Sequence, residues 1–169
     1  MRSKKLDNLS TAQMEGLIET LMWFWGNLHQ RWRSVVEDEY GLDAVRKLEL
    51  KLDAKVGRSH AKRIKKIFNI GGGLSGFVNA FRFVPENFVE DFEILEQTEK
   101  YIVFCNPSCS AQKARIREGK SEYPCKESAI LYFTNFACEI DPNIQLSCIM
   151  CPPDSHPDNC YCKWRLEAP

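Results

Sequence analysis

Apolar residues recur at helical spacing from Met14 to Ile67, and beyond residue 90 the period drops toward two. That change of period constrains the fold more than any other feature, because a helix stripe and a strand face bury different subsets of residues. Ser10-Thr11-Ala12-Gln13 has the form of a capping box, with Leu9 and Met14 placed to staple across it, which predicts a helix from about Thr11. Met14, Leu17, Ile18, Leu21, Trp25, Leu28, Trp32, Val35 and Val36 continue it until Gly41. Trp23 and Phe24 make its middle apolar nearly all round, so it needs a second covering surface. The rest of the fold is the expected cover, with a ligand cavity or a partner subunit as alternatives. Asp43 is placed to cap a second helix carrying Val45, Leu48, Leu52, Val56, Ile64 and Ile67, and the short Gly41-Leu42 turn predicts an antiparallel helical hairpin. Gly71 to Gly76 matches G-x-G-x-x-G but follows a basic helix instead of a strand, so it reads as a helix break before a short helix, Leu74 to Phe83, ended by Pro85.

The second half predicts a strand around Phe92 to Gln97, a turn at Thr98-Glu99-Lys100, and a strand Tyr101 to Phe104. Short helices follow at Ser110 to Arg117, closed by Gly119, and at Glu127 to Glu139. Strands at Ile144 to Ile149 and Cys160 to Leu166 complete the order. The expectation is a single α+β domain over residues 1–169, with a helical part at 10–84 and a cysteine-rich α+β part at 88–167. Its N-terminal helical hairpin packs on an antiparallel sheet of about four strands.

Acidic and basic residues balance at 23 each, so no whole-protein field steers nucleic acid or acidic membranes. Lys55, Arg58, Lys62, Arg63, Lys65 and Lys66 cluster, and read as the solvated face of a helix. The longest apolar run, Leu21 to Trp25, is far shorter than a membrane span. The N-terminus has no apolar core of a signal peptide, which predicts a soluble, cytoplasmic protein. Eight cysteines in such a setting point to thiols kept for a metal or for reactivity instead of disulfides.

Four of the eight lie between Cys148 and Cys162. Pairing the last two strands with Cys148 opposite Cys162 sets Leu146 against Trp164 and Ile144 against Leu166, and places Cys160 on the same face as Cys162. Pro152 and Pro153 turn the chain after Cys151 into a C-x-x-C knuckle. Cys148, Cys151 and Cys162 are the first candidate ligands, with Cys125, Cys160 or His156 as the fourth. Cys125 is preferred, because helix-terminal N–H groups and Lys126 would favour its thiolate. A sulfur-rich tetrahedral site suits zinc, and an iron–sulfur cluster is the alternative cofactor. Cys109, at a predicted helix start, is a candidate nucleophile with a lowered pKa, although neither His29 nor His60 is placed to pair with it. Cys138 reads as a small core residue.

The strings Cys109-Ser110-Ala111-Gln112-Lys113-Ala114-Arg115, Tyr123-Pro124-Cys125-Lys126, Ile140-Asp141-Pro142-Asn143-Ile144, Cys148 to Pro157 and Cys162-Lys163-Trp164, with Trp23-Phe24 and Glu39 to Ala44, resemble an uncharacterised family of small cytosolic proteins. That family is similar to the L-2-amino-thiazoline-4-carboxylic acid hydrolase-like group and, more distantly, to the 4-vinyl reductase domain. The distant resemblance implies an α+β small-molecule-binding fold, with zinc held by late cysteines in some sensor relatives. It supports Cys125, Cys148, Cys151 and Cys162, adds Cys109, and leaves Cys160 outside its pattern. The expected function is therefore a metal-binding, sensor-like domain with a small-molecule cavity lined by some of Trp23, Phe24, Trp25, Phe77 and Phe81. The alternatives are a hydrolase acting on a C–N bond of a small heterocycle or amide, using metal-activated water or Cys109, and an iron–sulfur redox protein. Expected partners are a small molecule and a second copy met through the apolar first helix, with neither nucleic acid nor membrane.

Overall fold

The Ser10 hydroxyl accepts from the Gln13 backbone N–H while the Gln13 side chain accepts from the Ser10 N–H, and this reciprocal cap starts α1, Thr11–Tyr40. The computed structural model describes residues 6–88 and 90–168. Gly41, at φ +82°, turns the chain at once into α2, Leu42–Phe68. Asp43 does not cap α2 as predicted: Gly41 takes the N-cap position, and Asp43 lies one residue inside the helix, 3.5 Å from Arg46.

The glycine run opens α3, Gly73–Phe81, which is followed by a 3₁₀ turn at Pro85–Phe88. Its role is packing, since a side chain at Gly76 would collide with the Gly71 carbonyl, and the Gly73 N–H donates to Asp141 at 3.0 Å. The strands are β1 Glu93–Gln97 and β2 Tyr101–Asn106, then after α4 Ser110–Arg117 and α5 Lys126–Ile140 come β3 Gln145–Met150 and β4 Cys162–Glu167. They form one antiparallel sheet in the order β1-β2-β4-β3, so the two predicted hairpins join through β2 and β4.

Along β2 and β4, Ile102 faces Leu166 and Phe104 faces Trp164. All four side chains are buried against Phe77 and Phe81 of α3 and Phe133, Phe136 and Ala137 of α5. Phe133 meets the Trp164 ring edge-on at 4.8 Å, and Phe77 meets Phe136 edge-on at 5.5 Å. Helix α2 reaches this core across α5, bringing Ala61 and Ile64. A Cβ at Gly57 would collide with the Tyr132 carbonyl, so only glycine permits this approach of α2 to α5. Lys65 departs from the expected solvated face and donates to the carbonyls of Glu139 and Ile140 at 3.1 and 2.9 Å, complementing the negative end of α5.

The predicted β3–β4 register is displaced by two residues. Cys148 pairs with Trp164 and Leu146 with Leu166, and a bulge then brings Met150 opposite Lys163. An even displacement keeps every side chain on its predicted face, which is why alternation alone could not exclude it. Cys160 precedes the strand, so its expected place on the Cys162 face of β4 is not formed.

No residue of α1 is buried, contrary to the expectation that the fold covers its apolar middle. Trp23 is 63% exposed, Phe24 56% and Leu28 72%. The expected cavity shared by Trp23, Phe24 and Trp25 with Phe77 and Phe81 is not formed either: Phe77 and Phe81 stack on each other at 5.2 Å in the core, while Trp23 and Phe24 sit on open helix.

Candidate functional site

Three of the predicted ligands meet at one end of the sheet, and local hydrogen bonds explain why. The Gln112 side chain bridges the Tyr123 carbonyl and N–H at 2.8 Å each, fixing the segment that delivers Cys125 to the start of α5. There the Lys126 N–H donates to the Pro152 carbonyl at 3.0 Å, while Lys126 Nζ reaches Asp154 at 2.7 Å and Asp154 accepts from the Cys151 N–H at 3.2 Å. This clamp ties the C-x-x-C turn to α5 and leaves Cys125 Sγ 3.6 Å from Cys151 Sγ. Cys151 also interacts with Cys162 at the start of β4, whose Sγ donates to Asn106 Oδ1 at 3.3 Å, so Cys151 has a sulfur neighbour on either side.

A thiol proton shared from the centre favours negative charge on the flanks. The hydrogen bond from Cys151 is the foremost reason that the Cys125 and Cys162 thiols lie below their ordinary value, while Cys151 itself is pushed up. Lys126, expected to favour the Cys125 thiolate, directs its charge to Asp154 instead. The indole N–H of Trp164 also favours a Cys162 thiolate. That N–H is buried with no hydrogen-bond partner, so a Cys162 thiolate would give it an acceptor. Cys148 joins the group electrostatically, with its thiol raised first by burial. Among the described residues, no three His, Cys, Asp or Glu side chains stand arranged to hold a metal ion.

The other sequence candidates fall elsewhere. Cys160 Sγ donates to the Cys162 carbonyl at 3.7 Å and neighbours Cys105 of β2, whose thiol is pushed up to about 11, by burial first. His156 has both ring nitrogens engaged, Nδ1 with the Pro157 carbonyl at 3.0 Å and Nε2 with Glu122 at 3.1 Å. Cys109 does precede α4, but its expected lowered pKa is reversed: burial outweighs the backbone N–H of Gln112 and pushes the thiol up to about 12. Neither His29 nor His60 approaches it; His29 faces Glu49 and His60 faces Tyr132. Cys138 is half-buried, 3.8 Å from Arg58.

A buried polar cluster under α1 was not anticipated from sequence. Glu49 of α2 is 1% exposed, takes a hydrogen bond from Arg33 Nε, lies 3.8 Å from His29, and keeps one oxygen without a hydrogen bond of good geometry. The Tyr123 hydroxyl borders it, with its own ionisation opposed by burial and then by this carboxylate. One turn on, burial and then the Glu49 charge push Asp53 up to about 7. Glu86 stands nearby with its side chain exposed, and the protein around it raises its carboxyl. Burial first, then Arg33, holds His29 down at about 4. The available signal was the spacing Val45, Glu49, Asp53, Val56, His60, Ile64, which is as helical as the apolar set chosen. Leu48 and Leu52, assigned to the buried stripe, are instead 42% and 43% exposed.

Helices α3 and α5 on one face of a four-stranded antiparallel sheet, with a row of thiols at the sheet's end, define a cysteine-rich α+β domain. The chain belongs to the family of unknown function DUF6125, whose model matches residues 7–167. No curated protein matches the sequence. Among solved structures the fold is similar to the phenol-responsive sensory domain of the transcription activator PoxR, crystallised with phenol. That match has a TM-score of 0.55 at 15% identity and covers 83% of this chain and 73% of the other. No helix among the described residues is long and apolar enough to cross a membrane.

Proposed function

We propose that this is a small-molecule-binding, sensor-like domain whose terminal hairpin is fastened by a metal on Cys125, Cys148, Cys151 and Cys162. The observation that carries the metal is the 3.6 Å separation of Cys125 and Cys151 in a row completed by Cys162. Thiolates sharing a tetrahedral ion at about 2.3 Å stand about 3.8 Å apart, so the spacing already suits zinc. The buried Trp164 N–H beside Cys162 fits the donor set, because metal-bound thiolates accept hydrogen bonds. A bound ion would draw Cys148 into the row and lock β3 and β4 to α5. Four protein ligands leave no open position for chemistry, so its part would be structural.

The polar cluster around Glu49 and Asp53 is the proposed ligand site, and the phenol-responsive neighbour supports a small aromatic molecule as the kind of ligand. Tyr123, Tyr132 and His60 border it with rings and polar tips suited to such a molecule. Elemental analysis of protein purified anaerobically under reducing conditions tests the metal, with about one zinc per chain expected and Cys151→Ser losing it. Metal-free protein from that preparation would refute this half. Thermal shift against phenol and simple substituted phenols tests the other half, with a shift expected in the parent and lost in Asp53→Leu. Absence of any shift would refute it.

A further inference from the structure

The apolar stripe that the fold leaves open on α1 has an internal symmetry. Read about a point between Phe24 and Trp25, Met14 mirrors Val35, Leu17 mirrors Trp32, and Leu21 mirrors Leu28. At 3.6 residues per turn these side chains share one helix face, and no charged residue interrupts that face between Met14 and Val35. Each pair contains a member that stands in solvent: Val35 is 62% exposed, Trp32 37%, Leu21 49% and Leu28 72%. This row of six positions, with Ile18 and Val36 at its margin outside the mirror, is self-complementary when a second helix crosses it antiparallel about a two-fold axis.

We infer that the chain forms a two-fold dimer in which α1 pairs antiparallel with α1 of a second copy, so that Leu21 of each packs on Leu28 of the other and the two Phe24 rings flank the axis. A parallel pair would place like on like, Leu17 on Leu17 and Trp32 on Trp32, and would leave the mirror pattern without a use. The exposed parts of Leu21, Phe24, Leu28, Trp32 and Val35 come to roughly 500 Å² per copy, so the pair reaches about the 1,000 Å² that a specific interface must clear. The flank of α1 next to this stripe carries His29 and Arg33 onto Glu49, so one helix bears both the dimer seam and part of the Glu49 cluster.

Sedimentation equilibrium at micromolar protein tests the assignment, with Leu21→Glu, Leu28→Lys and the double variant compared with the parent. These positions are exposed in the single chain, and circular dichroism checks that each variant keeps its helices. The parent is expected to be a dimer. Each single substitution places a charge against leucine at two symmetric contacts and weakens the dimer about a hundredfold, taking about tenfold per contact. In the double variant the introduced glutamate of each copy faces the introduced lysine of the other, and most of the affinity returns in the antiparallel arrangement alone. A parent that stays monomeric, whether or not it sediments with lipid vesicles, overturns the inference. So does a dimer indifferent to both single substitutions, or a double variant no better than either single, which would indicate a parallel pairing.

Discussion

Arg33 of α1 donates from Nε to the carboxylate of Glu49 on α2, and each residue lies eight positions from Gly41, where the chain turns. The pair fastens two helices that otherwise share little apolar contact, since α1 buries none of its residues. Arg33→Met leaves a carboxylate at 1% exposure with no cation against it but the neutral-held His29, and should cost about 3 kcal/mol. Adding Glu49→Gln to Arg33→Met should restore more than half of that loss, because the uncompensated charge goes with it. Urea denaturation of the two variants measures the difference.

Asp53 and His29 give stability opposite slopes with pH. The folded-state pKa of Asp53 is raised to about 7, so its proton stabilises the fold at low pH and that contribution is lost as pH rises from the unfolded value toward 7. His29, lowered to about 4, is held neutral, so the fold loses stability as pH falls from about 6.5 to about 4. Asp53→Asn should therefore raise stability at pH 8 by about 2 kcal/mol and have little effect at pH 4. His29→Gln should flatten the acid limb. Thermal melts between pH 4 and pH 8 read both.

Gly57→Ala brings a methyl group onto the Tyr132 carbonyl, a backbone atom that cannot swing away. Parting α2 from α5 also disturbs the packing around Ala61 and Phe136, so the cost should be about 3 kcal/mol. Gly16→Ala, with nothing within 4 Å of the added carbon, is the control and should stabilise α1 slightly. Guanidinium denaturation compares the two.

Trp164→Phe keeps the ring in the core and removes the N–H beside Cys162. The Cys162 thiol should rise by about one pKa unit, matching a charge-assisted hydrogen bond of about 1.5 kcal/mol. Alkylation rates of the reduced, metal-free protein against pH, read by mass spectrometry at Cys162, give the value.

Much of the fold was legible because its cues are local. The capping box at Ser10, the Gly41 turn, α4 and the four strands each follow from a few neighbouring residues. The thiol site was legible in part for a different reason: Cys148, Cys151 and Cys162 belong to one hairpin, and alternation assigns their faces. Cys160 misled because it stands outside the strand that would have aligned it, and its thiol donates instead to the Cys162 carbonyl. Glu49 was passed over because a glutamate on a charged helix reads as solvated, and its burial depends on Arg33, His29 and Tyr123 arriving from other segments.

Sequence by itself determined the secondary elements, the face each strand residue takes, and the α+β class, because periods of 3.6 and two are properties of the backbone. Tertiary structure decided the strand order β1-β2-β4-β3, the two-residue displacement of β3 on β4, and the exposure of α1. A displacement by two leaves the side-chain pattern unchanged, so the register depends on contacts outside the hairpin, such as the Lys126 N–H on the Pro152 carbonyl that ties the end of β3 to α5.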